Sequence, residues 1–401
     1  MEKIVVSSVG ILSALGCGMH QNIQALLQKK SGLHFPVHLQ SVHAQEFLLG
    51  EVNFSNEEMA MLVGLQENMQ GLTRTTLLSL VALQELMGKI DRALLRDEPV
   101  ALINASTVGG MCSVEDHYLD FIEPGKRGDF IQYINSSDCG DSTERAARYF
   151  GLKPLMATIS TACSSSANAV IMGARLIQQG VVKRAICGGT DALCRFTLNG
   201  FNSLKNVDKG PCRPFDQTRF GLNLGEGAGY LLLEKEEDAK ARGAEILAYL
   251  GGYANSNDAY HPTAPSPDGA GAFRTMEQAL KHAKLQPEDI SYINAHGTAT
   301  INNDAAEGLA IQQLFAEKVP YFSSTKAFTG HTLAAAGAIE AIFSIISLQQ
   351  QAVFANLNFT TPMEELSITP VTDTLENVPV QHVMSNSFGF GGNNVSLIFS
   401  K

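Results

Sequence analysis

The sequence predicts an α/β fold built from two similar halves, on three observations. Short apolar runs bounded by turn residues alternate with stretches of helical periodicity along the whole chain, as expected of strands joined through helices. Two pairs of distant segments resemble each other, which points to an internal duplication. The 401 residues, 45% hydrophobic and 17% charged, suffice for a large core, because the buried share of surface grows with chain size.

Taken in order, Ile4–Val6, Val100–Asn104, Met156–Ser160, Ala185–Gly188, Tyr230–Glu234, Tyr292–Ala295, Val319–Ser323 and Val395–Phe399 read as buried strands. Thr75–Gly88, Ser164–Gln179, Gly271–Ala283 and Leu333–Gln350 repeat apolar residues at helical spacing. Their alternation predicts a largely parallel sheet system. In the repeat, "VALINASTVGG" (100–110) resembles "ISYINAHGTAT" (290–300), each a strand ending at a polar elbow. "MATISTACSSSANAVIMGARLIQQG" (156–180) resembles "PYFSSTKAFTGHTLAAAGAIEAIFSIISLQQ" (320–350), a strand, an elbow and a small-residue helix. The halves are expected to divide as 1–245 and 246–401, with elbows from both able to converge.

Composition excludes several function classes. A net charge of −11 without Lys/Arg runs leaves nothing to neutralise a nucleic-acid backbone. The seven cysteines at 17, 112, 139, 163, 187, 194 and 212 are odd in number and form no C-x-x-C pair. That predicts reduced thiols and a cytoplasmic location, and argues against a disulfide frame or a thiolate zinc site. The apolar N-terminal stretch opens with Glu2 and is broken by Ser and Gly, so it is not read as a signal peptide. No run of 18 apolar residues predicts a membrane span. "GEGAGYLLLE" (225–234) leads into a strand, which defeats the phosphate-on-helix geometry of a dinucleotide loop.

The elbows carry the chemistry. In "ATISTACSSSANAV" (157–170), Cys163 sits where a strand gives way to a helix. A helix start carries roughly +0.5 charge and free N–H groups, so a thiol of pKa about 8.5 is expected to fall by about a unit there. The same N–H groups suit an oxyanion. A single cysteine is more often an inert buried thiol, but His296 and His331 lie on repeat-related elbows and favour a nucleophile with imidazole partners. Lys326 shares the His331 loop, and Glu340 is the only charge from Thr332 to Leu348. A buried lone carboxylate is costly, so a Lys326–Glu340 pair is expected. "NSFGFGGNN" (386–394) is a Gly/Phe turn suited to bringing backbone N–H close to a ligand.

Together "TACSSS", "NAHGTATINND", "STKAFTGHTLAAAGAIE" and "NSFGFGGNN", with "CRPFDQTRFGLNLGEGAG" and the opening "KIVVSSVGILSALG", resemble the elongating, Cys-His-His β-ketoacyl-acyl-carrier-protein synthases of the thiolase superfamily. The resemblance implies a five-layer αβαβα thiolase-like fold, a dimer with itself or with a related subunit, and no metal or organic cofactor. Substrates would arrive on the phosphopantetheine of an acyl carrier protein. It assigns Cys163 as the acyl acceptor, and His296 and His331 as the groups for malonyl decarboxylation. The N–H groups of Cys163 and Phe390 would form the oxyanion hole. Lys326 and Glu340, with Asp304 and Glu307, would form the supporting network. Thr298, Thr300, Phe388 and Gly389 would touch substrate, Val108 would floor the acyl tunnel, and Lys126, Arg127, Lys205 and Lys209 would dock the carrier.

The chain departs from the family at Phe220, where an acidic residue or Asn is usual, at Asn393 in place of a usual Thr, and in a shortened segment from Asp191 to Arg213. Residues 191–216 are similar to ketosynthases of aryl-polyene and related pigment pathways. A cysteine hydrolase would share Cys163 and one histidine, but would release no CO2 from malonyl carrier. A non-catalytic partner subunit would ordinarily lack the cysteine, and a degradative thiolase would need a second one beyond Cys212.

Overall fold

The computed structural model describes residues 2–401 apart from 66, 68, 124, 126, 127 and 317, with the side chains of 119, 121 and 129 also outside the description. Among the described residues, thirteen strands form: β1 (Ile4–Ser13), β2 (Gly16–Cys17), β3 (Val100–Ala105), β4 (Leu155–Ile159), β5 (Arg184–Asp191), β6 (Gly227–Lys235), β7 (Ala248–Asn257), β8 (Tyr292–Asn294), β9 (Tyr321–Ser323), β10 (Ala352–Val353), β11 (Leu375–Glu376), β12 (His382–Gly389) and β13 (Asn393–Ser400). The main sheet runs β4-β3-β5-β6-β1-β7-β13-β12-β8-β9, with β2 folded back on β1, while β10 and β11 pair separately. Outward from the middle, β1-β6-β5-β3-β4 is matched by β7-β13-β12-β8-β9, the same order in each half. The halves touch in the sheet only through Val5↔Tyr249 and Val6↔Ala248.

The sheet is mixed, and this corrects the expectation of a largely parallel one. Only β3 with β4 and β5, and β8 with β9 and β12, pair in parallel. The pairings from β5 through β6, β1, β7 and β13 to β12 are antiparallel. The clearest cause is local. β12 and β13 are joined by a tight turn at Phe390–Gly392, and a tight turn can only return the chain antiparallel.

Five layers follow. Helices Ser165–Gln178 and Ala336–Gln350 pack on each other between the two half-sheets and share one core with them. Helix Arg74–Met87 covers β1 and β6 from outside, with Asp141–Tyr149 against it. Ala270–Ala283 and Ile301–Leu314 cover the other half. Ala336–Leu348 is buried at every position, as expected for a helix apolar on all sides. The segment Leu333–Gln350 is long and apolar enough to cross a membrane, but 89% of it is buried inside the protein. At Gly337 a Cβ would lie 2.8 Å from Ala167 N and 2.9 Å from its Cβ, so the inner helices meet through that glycine.

The arrangement places the elbows. β4, β8, β9 and β12 end at Ile159, Asn294, Ser323 and Gly389, just before Cys163, His296, the Lys326–His331 loop and Phe390. Sites of α/β sheets collect at such carboxyl strand ends.

Candidate active site

The cysteine elbow is locked by its own hydroxyls. Ala162 adopts a left-handed φ of 53°, costly for a residue with a Cβ. Ser165 Oγ donates to Ala162 O at 2.6 Å and accepts from Thr161 N at 2.8 Å, and the one Ser164 Oγ proton is shared between Thr161 O and Asn393 Oδ1, each 2.8 Å away. The helix begins at Ser165 with Ser164 as its cap, so Cys163 stands one residue outside the cap and is 6% exposed.

His331 reaches it from the other half, with Nε2 2.9 Å from Cys163 Sγ. Its loop is clasped by 223–225: His331 N donates to Asn223 O at 2.7 Å and Gly225 N to His331 O at 3.0 Å. A Cβ on Gly225 would lie 2.2 Å from Thr329 O, so only glycine admits this approach. His296 stands edge-on to His331, ring centroids 5.4 Å apart. Its loop hangs on helix Ile301–Leu314: His296 N and Gly297 N donate to Glu307 at 2.9 and 2.8 Å, and Ala299 N to Asp304 at 3.1 Å. Both carboxyls are pushed above their usual range by burial, an effect these N–H bonds oppose.

Lys326 Nζ donates to His296 Nδ1 at 3.2 Å and pairs with Glu340 Oε1. An ammonium is only a donor, so Nδ1 must be bare and the His296 proton lies on Nε2. Burial, and then the Lys326 charge, hold both imidazoles well below the usual histidine range. They are neutral at pH 7. Burial raises Glu340 to about 7 against the pull of Lys326.

Cys163 overturns an expectation. Burial pushes its thiol up to about 11, although Lys326 and the N–H groups of Phe390 and Cys163 pull it down. Desolvation outweighs the helix end because the thiol is buried and lies ahead of the cap. The thiol is therefore neutral at rest, and His331 Nε2 is the base within reach.

Cys163 Sγ, His296 and His331 present ligand atoms all within 4.8 Å of one another, which would also suit a thiophilic metal. The Lys326 ammonium on His296 opposes a second cation there.

Two cavities of about 330 Å³ each meet at Cys163. One holds His296, His331, Thr298, Thr300, Phe388 and Gly389 and opens past Lys205, Phe220 and Ile301. The other is mainly apolar, with Val108, Met111, Phe196 and Leu333 in its wall. Phe201 and Phe390 line both, their rings stacked 5.6 Å apart.

Lys126 and Arg127 lie outside the described residues. Lys209 is absent from the lining of that opening and is paired with Glu46 at 2.5 Å. Lys205 does line it. Sequence reasoning missed Phe196 and Phe201, whose i, i+5 spacing marks no helical face. It also missed Asp258, which receives Asn394 Nδ2 and Ser266 N and so ties the 258–266 loop to β13.

A family model described as "Beta-ketoacyl synthase, N-terminal domain" matches residues 1–239, and one for the C-terminal domain matches 247–360. Among curated relatives, 3-oxoacyl-[acyl-carrier-protein] synthase 2 of Staphylococcus aureus (strain COL) is 31% identical, over 100% of this chain and 98% of its own. The protein of the same name from Vibrio harveyi is 33% identical, over 100% and 99%. Among solved structures, the ishigamide ketosynthase/chain length factor superposes with a TM-score of 0.91 at 27% identity, over 100% and 99% of the chains. A ketosynthase in complex with its chain length factor from Xenorhabdus doucetiae gives 0.86 at 34%, over 100% and 98%.

Proposed function

The chain belongs to the β-ketoacyl synthase family, and from that membership we propose that it joins a Cys163-bound acyl group to malonyl-acyl-carrier-protein, releasing CO2 and 3-oxoacyl-carrier. The observation that carries this reading is a thiol 2.9 Å from one buried neutral imidazole and beside a second, at the junction of a polar cavity and an apolar one.

In the first step the Cys163 thiol gives its proton to His331 Nε2 as sulfur attacks the acyl thioester. The Cys163 and Phe390 N–H groups hold the oxyanion, and the new S–C bond replaces that to the carrier thiol, which leaves with the proton. In the second step the malonyl carbonyl oxygen accepts from the Nε2–H of His296 and from His331 Nε2, to which the ring's single proton has moved from Nδ1 by exchange with solvent after the carrier thiol leaves. The bond to the carboxylate breaks, and the electron pair left by CO2 becomes an enolate that these donors stabilise. The enolate carbon attacks the acyl carbon, the S–C bond to Cys163 breaks, and the thiolate takes up a proton from solvent. Lys326 fixes the His296 tautomer, and Glu340 balances the lysine charge. Asp304 and Glu307 position the loop that carries His296, Thr298 and Thr300.

The arm of the carrier enters past Thr298, Thr300, Phe388 and Gly389, and the acyl chain lies in the cavity walled by Val108. Lys205 at the mouth is the docking cation in this reading, with Lys126 and Arg127. No metal or organic cofactor takes part. The halves divide at 245/246, between the two family-model matches. Location is cytoplasmic, consistent with seven unpaired thiols among the described residues.

A heterodimeric form, as ketosynthase subunit of a specialised polyene or pigment system, is favoured by the two solved neighbours in which a ketosynthase stands with a chain length factor. Edge strand β4 leaves Leu155 and Met156 exposed, a surface fit for a related subunit or a second copy.

Intact-mass analysis after incubation with a panel of acyl carriers tests the assignment. The wild-type protein should gain one acyl mass, and Cys163→Ala none. An acyl adduct on Cys163→Ala would remove Cys163 as the acceptor.

A further inference from the structure

The pair of N–H donors beside Cys163 comes from two separate segments, the elbow and the β12–β13 turn, and something must fix the distance between them. Gly389, which precedes Phe390, packs so tightly on the elbow that a Cβ there would lie 2.9 Å from Thr161 O and 3.2 Å from Cys163 N. In the β12–β13 ladder Gly389 faces Asn393. The Asn393 side chain reaches back to the elbow, where its Oδ1 accepts from Ser164 Oγ at 2.8 Å and Asn168 Nδ2 at 2.9 Å. A third donor, Asn255 Nδ2 on β7, lies at 3.0 Å and also donates to Asn168 Oδ1 at 2.8 Å. Asn168 Nδ2 continues to Thr161 Oγ1 at 2.9 Å. One carbonyl oxygen thus gathers the residues on both sides of Cys163, the inner helix, β7 and the start of β13.

We propose that Asn393, with Asn168 and Asn255, is a positioning clamp that sets the spacing of the Cys163 and Phe390 N–H donors for attack on the acyl thioester. The three amides face a separate groove of about 520 Å³, which shares no residue with the two cavities at Cys163. They touch no substrate and act through the elbow. The geometry suits an asparagine at this position. An asparagine presents its acceptor one bond farther from the backbone than threonine, and its carbonyl oxygen has two lone pairs to share among several donors. The clamp serves the acylation donors; decarboxylation rests on the two histidines, held by Glu307, Lys326 and the 223–225 segment.

The inference rests on the acyl-transfer reading above, and its test separates the two half-reactions. Rapid-quench intact-mass measurement gives the rate of Cys163 acylation from an acyl carrier, and CO2 release from malonyl carrier gives the other. Loss of a whole oxyanion donor typically costs about 10²–10³ in rate, so a displaced pair is expected to cost about tenfold. Asn393→Ala should slow acylation by that factor and leave CO2 release within about twofold. Asn393→Asp, which keeps the acceptor oxygens, should recover most of the acylation rate. Should Asn393→Ala fail to fold, Asn255→Ala removes one donor only and should show the same split at about threefold. Acylation at the wild-type rate in Asn393→Ala and Asn255→Ala, or a parallel fall of both half-reactions with thermal stability, overturns the clamp. A wild-type protein that takes no acyl mass overturns the acyl-transfer reading itself.

Discussion

At Cys163 an elbow legible in sequence holds the thiol that the proposed reaction uses, but the reason the sequence offers for its reactivity is incomplete. A strand running into a small-residue helix marks a reactive thiol because the helix start favours a thiolate. In the folded chain, burial is the larger effect and holds the thiol near 11, so reactivity passes to the His331 contact. The sequence shows which groups sit on elbows, but how much solvent each loses depends on the whole fold. A measurable pH dependence follows. A raised pKa means the thiolate fraction still grows above pH 8.5, where an ordinary cysteine with pKa about 8.5 is already half ionised. Iodoacetamide modification of Cys163, followed by peptide mass, should therefore keep accelerating between pH 8 and pH 10. A plateau by pH 8 would mean that the helix end prevails after all. The Lys326–Glu340 pair was legible for a firmer reason: a lone carboxylate in an apolar helix needs a cation, and Lys326 is on the elbow beside it.

At the scale of elements, all eight strands and four helices expected from periodicity form, with ends shifted by at most three residues except in β1, which runs on seven residues past Val6 to Ser13. The missed elements share a cause. β7 contains Gly251, Gly252, two tyrosines at 249 and 253 and the polar run Asn255, Ser256 and Asn257, so its alternation is diluted. Helix Ile301–Leu314 buries Asp304, Glu307 and Gly308 beside Ala310 and Ile311, because its inner face holds the His296 loop as well as a core. Function has overwritten the apolar stripe there. The inner helices, by contrast, are plain packing, and their contact can be tested. Gly337→Val would drive side-chain atoms into Ala167 and Ser387; overpacking of this kind typically costs about 1–3 kcal/mol. Chemical denaturation should show that loss, and acylation should fall with it because Ala167 is four residues from Cys163. An unchanged midpoint would show that the helices are not pressed together at this glycine.

For the whole molecule, duplication explains why the site lies where it does. Equivalent strands of the two halves carry the elbows, and the Cys163 thiol of one half meets both imidazoles of the other. In the proposed reaction, substrate choice falls to the cavity on the Val108 side of Cys163. Val108→Phe, filling that wall, should shorten the longest acyl chain transferred, with malonyl decarboxylation unchanged; equal losses for short and long donors would place the acyl chain elsewhere. The central claim, that Cys163 and the two histidines couple decarboxylation to carbon–carbon bond formation, is tested most directly in a single turnover. Acyl-loaded protein mixed with malonyl carrier should release one CO2 for each 3-oxoacyl carrier formed. His296→Ala should carry the same acyl load yet lower that rate by about 10²–10³, the usual worth of one oxyanion donor. Release of free acyl acid without CO2, or an undiminished CO2 yield from His296→Ala, would contradict the account.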